Sequence, residues 1–328
     1  MKASVLSNND FIVQDVETPV LTSKGAIIKV YGCGLCGSDI VKYTHDLVKD
    51  GAVLGHEVVG EIVEINSDLD FKVGDKVAVA HHYPCLECNF CKHGNYSMCA
   101  TFKKSNITPG GFCEYILVDD NHLKYTVFKL PENMDIITAS FTEPIGCCYR
   151  AVSRTNLLEN DVVGIVGLGS IGILMGQICK TFNTKVVGFD INPERVKTAL
   201  DYGFDEAYLS NEFGNTINAD AIFLTAGADA SIKTAIEQVR NGGKICVFAS
   251  TKTDIPAFPN NEIYYKELTV FGSYSPSPDD LRKAFELLVT KQINVENMST
   301  IYNLEDLSEA ISDTRTGKIL KAFIKVGD

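Results

Sequence analysis

The sequence predicts an α/β protein in which a β-rich first domain precedes a domain built on a doubly wound parallel sheet. The chain has 328 residues, which suits two domains, because a single core rarely grows beyond about 250 to 300 residues. Short β-like segments dominate residues 1–146, whereas apolar segments alternate with helical ones from about Asp161 onwards. Hydrophobic residues make up 45% and charged residues 22% of the chain, an ordinary globular composition with enough apolar surface for two cores.

The strands of the first domain, residues 1–146, are predicted from short apolar and β-branched runs between Gly, Asn and Asp. These runs are GAIIKVYG, VVGEIVEI, KVAVA and CEYILV. Many short strands separated by turn residues indicate a sheet-based domain with long loops.

The second domain is predicted over residues 147–275, where strands alternate with helices and so form βαβ units around a parallel sheet. Six continuous apolar strands suit a doubly wound sheet that is buried on both faces. The predicted strands are VVGIVG, KVVGFD, EAYLS, DAIFLTAG, GKICVFAS and ELTVFGS, with helices near residues 170–182, 193–202 and 230–240.

Residues 276–328 form a separate C-terminal segment after a Pro-containing break, SPSPDD. An amphipathic helix, DDLRKAFELLVTK, follows with Asp at its start. The final stretch, KILKAFIKV, alternates like a half-buried strand.

The charge pattern argues against nucleic acid and membranes as partners. The formal net charge is −12, so no overall positive field attracts nucleic acid or an anionic membrane. The first residues, MKASVLSNNDFIVQ, lack a basic leader with an apolar core, and no run approaches the roughly 20 apolar residues of a membrane span. We therefore expect a soluble cytoplasmic protein.

Four cysteines lie close together in HHYPCLECNFCKHGNYSMC with the spacing C-x2-C-x2-C-x7-C. They are Cys85, Cys88, Cys91 and Cys99. Thiolates at these intervals converge tetrahedrally on one zinc ion and leave no open position, which predicts a structural site. An iron–sulfur cluster is the alternative, but its common spacing places the fourth cysteine closer and follows it with proline.

The remaining cysteines and the neighbouring histidines are expected to be structural. Without a secretion signal, metal binding is favoured over a disulfide framework for the eleven cysteines. Cys113, Cys179 and Cys246 occur in apolar patterns and are expected to be small buried side chains. Three histidines lie close to the four cysteines, whose zinc shell is already complete, so we expect them to be solvated or to lie behind the ligands: His81, His82 and His93.

A glycine-rich turn follows strand VVGIVG and opens an apolar helix, which is the context that such a turn needs to bind a dinucleotide. The glycines allow a tight turn and close approach of a pyrophosphate to the helix N-terminus. Asp190, 18 residues after the last glycine, can accept hydrogen bonds from ribose hydroxyls, which predicts NAD. Arg195 follows five residues later, so NADP stays open. The turn reads Gly167-Leu168-Gly169-Ser170-Ile171-Gly172.

Two further motifs carry candidate metal ligands. Cys36 supplies a thiolate and His56 an imidazole. Two such ligands are too few for a closed zinc site, but they suit a catalytic zinc that keeps a position for substrate. A third protein ligand must come from elsewhere in the chain. The motifs are Gly34-Leu35-Cys36-Gly37-Ser38-Asp39 and Gly55-His56-Glu57-Val58-Val59-Gly60.

Taken together, these motifs resemble the zinc-containing medium-chain dehydrogenase family, and the resemblance extends over essentially the whole chain. It implies a GroES-like catalytic domain to which residues 276–328 return, a Rossmann domain that binds NAD, and an active site in the cleft between them. The segment SFTEPIG around Glu143 resembles the Glu-Pro segment of the sorbitol (polyol and sugar) dehydrogenase branch. The alcohol dehydrogenase branch places a cysteine there.

The same resemblance implies roles for individual residues. Glu143 is the implied third zinc ligand, directly or through water, and Glu57 is an exchangeable ligand. Cys147 and Cys148 are close enough in sequence to compete. Ser38 resembles the family's hydroxyl that passes the proton outward, and it also suits the N-cap of a helix over DIVKY.

The implied reaction is hydride transfer between a secondary alcohol and NAD, with one catalytic and one structural zinc per chain. Two departures from the family leave the substrate open. Val41 stands where alcohol dehydrogenases carry a relay histidine, for which His45 could substitute. The stretch Gly272-Ser273-Tyr274-Ser275-Pro276 replaces the Arg-Tyr pair that holds hydroxyls in sorbitol dehydrogenases, and Tyr274 could line the pocket.

The predicted substrate is a small hydroxyl-bearing metabolite: a polyol, sugar, cyclitol or related compound. An alcohol or threonine dehydrogenase on the same scaffold is an alternative, and a non-catalytic nucleotide-binding or redox-sensing protein is another. The resemblance also implies a homodimer or homotetramer that pairs through strand ELTVFGS.

Overall fold

The computed structural model describes residues 1–8, 10–45, 47–250 and 258–327. The chain divides into two compact units. The first comprises residues 1–146, 276–290 and 295–328, and the second comprises residues 147–275 and 291–294. None of the helices within the described ranges has the length and apolar character needed to cross a membrane.

The described residues contain the following strands and helices in chain order. The strands are β1 Lys2–Ser7, β2 Asp10–Asp15, β3 Gly25–Gly34, β4 Glu57–Asn66, β5 Lys76–Ala80, β6 Tyr115–Asp119, β7 Val127–Lys129, β8 Val162–Val166, β9 Lys185–Asp190, β10 Glu206–Leu209, β11 Ala219–Leu224, β12 Val239–Val247, β13 Thr269–Gly272, β14 Ser299–Asn303 and β15 Lys321–Lys325. The helices are α1 Gly37–Thr44, α2 Asn89–Lys92, α3 Asp120–Tyr125, α4 Ile136–Ser140, α5 Thr142–Ser153, α6 Ser170–Lys180, α7 Pro193–Asp201, α8 Asp229–Gln238, α9 Asn260–Tyr265, α10 Pro278–Val289 and α11 Leu307–Thr316, with 3₁₀ turns at Tyr96–Met98 and Leu304–Asp306.

A seven-stranded sheet forms the centre of the first unit. Its strand order is β14-β15-β3-β4-β5-β7, and β6 also pairs with β3. The register places Gly34 opposite Glu57 and Glu57 opposite Ala80. The C-terminal strand β15 joins the same sheet, with Phe323 opposite Gly34. The end of β3, the start of β4, the end of β5 and part of β15 therefore lie side by side at one end of the sheet.

The core of the first unit explains why its predicted strands form. Inward-facing Ile28, Ile62 and Ile116 on β3, β4 and β6 are fully buried, as is Phe112 before β6. Burying each such side chain contributes roughly 1.5 to 3 kcal/mol. All four strands predicted in this part of the sequence are present, as is the C-terminal strand β15.

The second unit contains a six-stranded parallel sheet with the order β10-β9-β8-β11-β12-β13. In the unit's own numbering this is the order 3-2-1-4-5-6 of a doubly wound sheet, so the predicted fold class is confirmed. Helix α6 is buried along Gly172–Cys179, which explains its nearly continuous apolar sequence. Strand β12 begins earlier than predicted, because Val239 pairs with Ala219 across a bulge.

Two local features complete the architecture. Helix α10 begins with Pro278 and is capped by Ser277, whose hydroxyl oxygen accepts from the backbone N–H of Asp280 at 3.2 Å. Residues 291–294 join the second unit through Gln177, whose side-chain amide exchanges two hydrogen bonds of 2.9 and 2.7 Å with the backbone of Asn294.

Candidate active site

The four-cysteine lobe brings its thiols together as the spacing predicted. The Sγ–Sγ distances are 3.5 Å for Cys88–Cys91 and Cys85–Cys99, and 4.0 Å for Cys85–Cys91. A tetrahedral zinc ion with bonds of about 2.3 Å would hold sulfur atoms about 3.8 Å apart. Backbone N–H groups of Cys85 and Cys88 lie 3.4 Å from the sulfur atoms of Cys99 and Cys85. The lobe therefore fits one closed, four-thiolate metal site.

A second group of donors comprises Cys36, His56 and Glu57, whose ligand atoms all lie within 4.8 Å of one another. The sheet register explains the grouping. Glu57 is the first residue of β4 and His56 immediately precedes it. Cys36 follows the end of β3, which is paired with Glu57 through Gly34. Cys36 is the N-cap of α1 and its Sγ accepts from the backbone N–H of Ser38 at 3.5 Å. A thiolate, an imidazole and a carboxylate are donors that zinc accepts.

Asp39 holds two of these donors, a role that the sequence analysis missed. Its side chain is 1% exposed, and Oδ1 lies 3.3 Å from Nδ1 of His56. Its Oδ2 accepts from the backbone N–H of Cys36 at 3.3 Å. Since Nδ1 faces Asp39, Nε2 is the nitrogen of His56 that is available to an ion. The signal in the sequence was an acid three residues after the N-cap Cys36, the spacing of a capping box.

Lys321 is the second residue that the sequence analysis missed. It is 4% exposed and its Nζ lies 2.5 Å from Oε2 of Glu57, which is 1% exposed. Nζ also donates to the carbonyl of Leu35 at 3.3 Å. Burial alone would lower the pKa of Lys321, but the charge of Glu57, followed by those of Cys36 and Glu143, raises it. The ammonium therefore balances buried negative charge at this group.

The shape around Glu57 depends on a glycine. A Cβ atom at Gly34 would lie 1.9 Å from Oε2 of Glu57, so no larger residue fits there without moving the carboxylate. The other oxygen, Oε1, is buried and has no hydrogen-bond partner within the described ranges. An unpartnered buried carboxylate oxygen is costly, and a cation bound by Cys36 and His56 would satisfy it.

Glu143, Cys147 and Cys148 all lie on α5. Glu143 is 5% exposed and its charge acts on Lys321, so it faces the same buried region. It is not a member of the group of donors within 4.8 Å. The thiol of Cys148 is fully buried and lies 3.9 Å from the carbonyl oxygen of Ile171, and Cys147 is partly buried. The geometry therefore favours Glu57 over these residues as a direct ligand.

The residues considered for proton transfer lie on α1. Ser38 is exposed in the first turn of the helix. Val41, at the relay position, has no titratable group. His45 is exposed and ends the helix, with its backbone N–H bonded to the carbonyl of Val41.

The histidines near the lobe fall into two environments. His93 is exposed, with Nδ1 2.8 Å from the carbonyl oxygen of Asn89. His81 and His82 instead form a row of tilted rings with His56: the ring centroids are 4.4 Å apart for His56–His81 and 4.0 Å apart for His81–His82. Burial lowers the pKa of His81 well below its ordinary value and that of His82 to about 3, so both rings are neutral near pH 7.

The glycine-rich turn of the second unit has the predicted form. It follows β8, and Gly169 is the N-cap of α6 without a side-chain cap. A Cβ atom at Gly172 would lie 1.9 Å from the carbonyl oxygen of Gly167, whose φ is +102°. At Gly169, by contrast, a Cβ atom would meet nothing within 4 Å. Open space therefore lies over a helix N-terminus with free N–H groups, which suits a pyrophosphate.

Asp190 ends β9 next to this turn. Its Oδ2 accepts from the backbone N–H of Leu168 at 2.7 Å, and its Oδ1 accepts from that of Asn192 at 2.9 Å. Arg195 lies 3.9 Å from Oδ2. These bonds fix the carboxylate at the turn, where each oxygen keeps a further lone pair for a ribose hydroxyl.

Two family models match the chain. The model described as "Alcohol dehydrogenase GroES-like domain" matches residues 22–132, and the one described as "Zinc-binding dehydrogenase" matches residues 170–290.

Similar proteins include enzymes named for polyols and sugars. A sorbitol dehydrogenase from Halalkalibacterium halodurans is 31% identical over 346 residues, covering 99% of each chain. D-xylulose reductase A from Aspergillus oryzae is 29% identical over 323 residues, covering 91% of this chain and 88% of its own. The crystal structure of galactitol-1-phosphate dehydrogenase from Escherichia coli matches with a TM-score of 0.86 and 27% identity, covering 99% of this chain and 100% of its own.

Proposed function

The chain belongs to the zinc-containing medium-chain dehydrogenase family, and from that premise we propose that it transfers hydride reversibly between a secondary alcohol and NAD. The proposed substrate class is a polyol, a sugar or a related hydroxy metabolite. The observation that carries the proposal is the group formed by Cys36, His56 and Glu57, in which a carboxylate accompanies the thiolate and the imidazole. The names of the similar sorbitol, xylulose and galactitol 1-phosphate enzymes support the same substrate class.

We assign the catalytic zinc to Cys36, His56 and a carboxylate. Glu57 is the proposed direct ligand, because a carboxylate oxygen of Glu57 lies in the donor group and its Oε1 has no hydrogen-bond partner within the described ranges. Glu143 is the proposed alternate ligand, directly or through water, and its burial near Lys321 supports that role. When bound, zinc polarises the substrate oxygen and makes loss of the hydroxyl proton possible near neutral pH.

Residues around the donor group orient the zinc ligands and carry the substrate proton. Asp39 orients His56, and Lys321 balances the charge of Glu57 at 2.5 Å. Ser38 is exposed two residues after Cys36, so its hydroxyl is the proposed carrier of the proton from the substrate to solvent.

The proposed cofactor is NAD, held at the N-terminus of α6. The pyrophosphate would lie over the glycine-rich turn, and Asp190 would accept from the adenosine ribose, where a carboxylate disfavours the 2′-phosphate of NADP. Arg195, 3.9 Å from Asp190, is a cation that would pair with a 2′-phosphate, so use of NADP stays open. The proposed contacts of the turn are Gly167, Gly169, Ser170, Ile171 and Gly172.

The second proposed zinc is structural and is held by the four thiols of the lobe, which gives two zinc ions per chain. We also propose a cytoplasmic homodimer or homotetramer. Strand β13, at the edge of the six-stranded sheet, is the proposed pairing strand.

The test is an NAD-coupled oxidation screen combined with metal analysis. The panel contains sorbitol, xylitol, galactitol, galactitol 1-phosphate, inositol, ethanol and threonine. We expect saturable oxidation of at least one polyol or polyol phosphate, together with about two zinc ions per chain. Turnover of ethanol alone would favour an alcohol dehydrogenase and turnover of threonine alone a threonine dehydrogenase. NADH binding without oxidation of any compound would favour a binding or sensing protein.

A further inference from the structure

His81 lies next to the donor group, although its position in the sequence associates it with the four-cysteine lobe. It follows the last residue of β5, and Ala80 pairs with Glu57 across the sheet. Because β4 and β5 are antiparallel, the next residue beyond each partner is His56 on one strand and His81 on the other. The two rings accordingly lie with their centroids 4.4 Å apart. Neither nitrogen of His81 belongs to the group of donors within 4.8 Å, so His81 is a neighbour of the ligands rather than a fourth one.

The backbone and the outer face of His81 are held in place. Its carbonyl oxygen accepts from Nε2 of His122 at 3.1 Å, and Nδ1 of His122 faces Asp119 at 3.0 Å. The His82 ring packs against the His81 ring at a tilt, and His82 is in turn fixed by contact of its Nδ1 with the carbonyl of Ser105 and by packing against Phe102. The ring is therefore positioned before any ligand arrives.

One nitrogen of this fixed ring is not used within the described ranges. Nδ1 of His81 has no hydrogen-bond partner there, although the atom is buried. A neutral imidazole carries one donor and one acceptor nitrogen. The residue as a whole remains partly exposed. A hydroxyl group can both donate and accept, and so suits either tautomer.

We propose that His81 is a specificity-determining residue, whose imidazole hydrogen-bonds a second hydroxyl of the substrate on the carbon next to the one that is oxidised. The inference rests on the proposed function, since it assumes that the reacting hydroxyl lies at Cys36, His56 and Glu57. The His81 ring centroid lies 4.4 Å from that of His56, so a substrate bound beside His56 would also lie beside His81. His81 would thus select polyols over simple alcohols.

Three variants of the zinc-loaded enzyme separate this role from a structural one. His81→Phe keeps a ring against His56 but removes both nitrogens. His81→Asn keeps a hydrogen-bonding group but removes the ring. His93→Phe makes the same change as the first variant at an exposed histidine of the lobe. Each variant is assayed for zinc content before use.

The substrates are a matched pair. One is whichever of sorbitol, xylitol and galactitol the wild-type enzyme oxidises fastest, and the other is the same compound without the hydroxyl next to the oxidised carbon. The kcat/KM of each is measured, and binding of the polyol to the enzyme–NADH complex, in which it cannot be oxidised, is measured by calorimetry.

We expect His81→Phe to lower kcat/KM and weaken binding for the polyol on the order of tenfold, the effect of one lost hydrogen bond. The deoxy compound should be oxidised as by wild type, and His81→Asn should retain most of the preference. An equal loss on both compounds, or an unchanged preference, would overturn the inference while leaving the proposed function standing. If the wild-type enzyme oxidises galactitol 1-phosphate but none of the three polyols, the same comparison is made with that compound and its deoxy analogue. If it oxidises neither a polyol nor a polyol phosphate, the proposed function fails and this inference fails with it.

Discussion

The two donor groups of the first unit are built in opposite ways. The four thiols of the lobe come from one short stretch, and their geometry follows from local turns and from backbone N–H groups that face the sulfur atoms. Cys36, His56 and Glu57 come from the ends of neighbouring strands, and each depends on register with the next. The lobe thus has its own local scaffold, whereas the second group exists only when the sheet is assembled.

The charges of the two groups differ as well. Four thiolates and one zinc ion would leave the lobe with two net negative charges near the surface. At the other group, zinc and the Lys321 ammonium would carry three positive charges against the three anions Cys36, Glu57 and Asp39. Buried charges are tolerated when they are paired and hydrogen-bonded. The second group therefore requires supporting residues that do not touch the metal, and variants of the two groups should differ accordingly.

The largest expected effect is the loss of activity in Cys36→Ala. Removal of the thiolate should release the catalytic zinc and lower NAD reduction by at least about a thousandfold, because the metal provides several kcal/mol of transition-state stabilisation. Zinc content should fall from about two to about one per chain, and the melting temperature should change little. Cys147→Ala is the matched control and should keep both zinc ions. Full activity in Cys36→Ala would contradict the assignment of this thiol.

The next largest effect concerns the lobe. Cys99→Ala should remove the other zinc ion and lower the free energy of unfolding by a few kcal/mol, because a structural zinc contributes directly to folding. Activity measured at low temperature should persist, since the strand-end donors stay in place. Thermal denaturation and zinc analysis of the same samples provide the measurement. If the variant keeps two zinc ions or melts like wild type, the lobe is not a structural metal site.

A smaller effect is expected for the residue that orients His56. Asp39→Asn should weaken binding of the catalytic zinc about 10- to 100-fold, the usual cost of losing a carboxylate behind a histidine ligand. The lobe zinc should be unaffected. Zinc release to a competing chelator measures both sites, and Asp135→Asn, the same change at the exposed N-cap of α4, is the control. Equal zinc release from Asp39→Asn and wild type would show that the carboxylate does not support the ligand.

Much of this architecture could be predicted because its signals are local. The alternation of apolar strands and helices predicted the doubly wound sheet. The spacing of the four cysteines and the glycine-rich turn after β8 likewise depend on neighbours in sequence. Each of these features needs only a few consecutive residues to be recognised, and each appears in the structure where it was expected.

The supporting residues of the second donor group could not be read in the same way. Lys321 lies in a strand whose partner in the sheet is far away in sequence, so its meeting with Glu57 depends on the pairing of β15 with β3. His81 was assigned to the surroundings of the lobe by proximity in sequence. The register of β4 with β5 places it beside His56 instead. Register across long connections is not encoded in any local pattern.

The smallest expected effect concerns the row of tilted rings, His56, His81 and His82, between the second donor group and the lobe. Burial holds the pKa of His82 at about 3 in the folded protein, against an ordinary value of 6.5. Between these values the unfolded chain binds more protons than the folded one, so stability is complete above pH 6.5 and falls as the pH decreases. From pH 7 to pH 5, this single group should account for at most about 2 kcal/mol of lost stability.

The measurement is chemical denaturation of wild type and His82→Phe at pH 7 and pH 5. At pH 7 the variant should be less stable, because it loses the contact of Nδ1 with the carbonyl of Ser105. Between pH 7 and pH 5 it should lose less stability than wild type, because phenylalanine binds no proton. His93→Phe, at an exposed position, should follow the wild-type profile. If the stability of wild type and of His82→Phe falls by the same amount between pH 7 and pH 5, protonation of His82 is not what destabilises the folded protein.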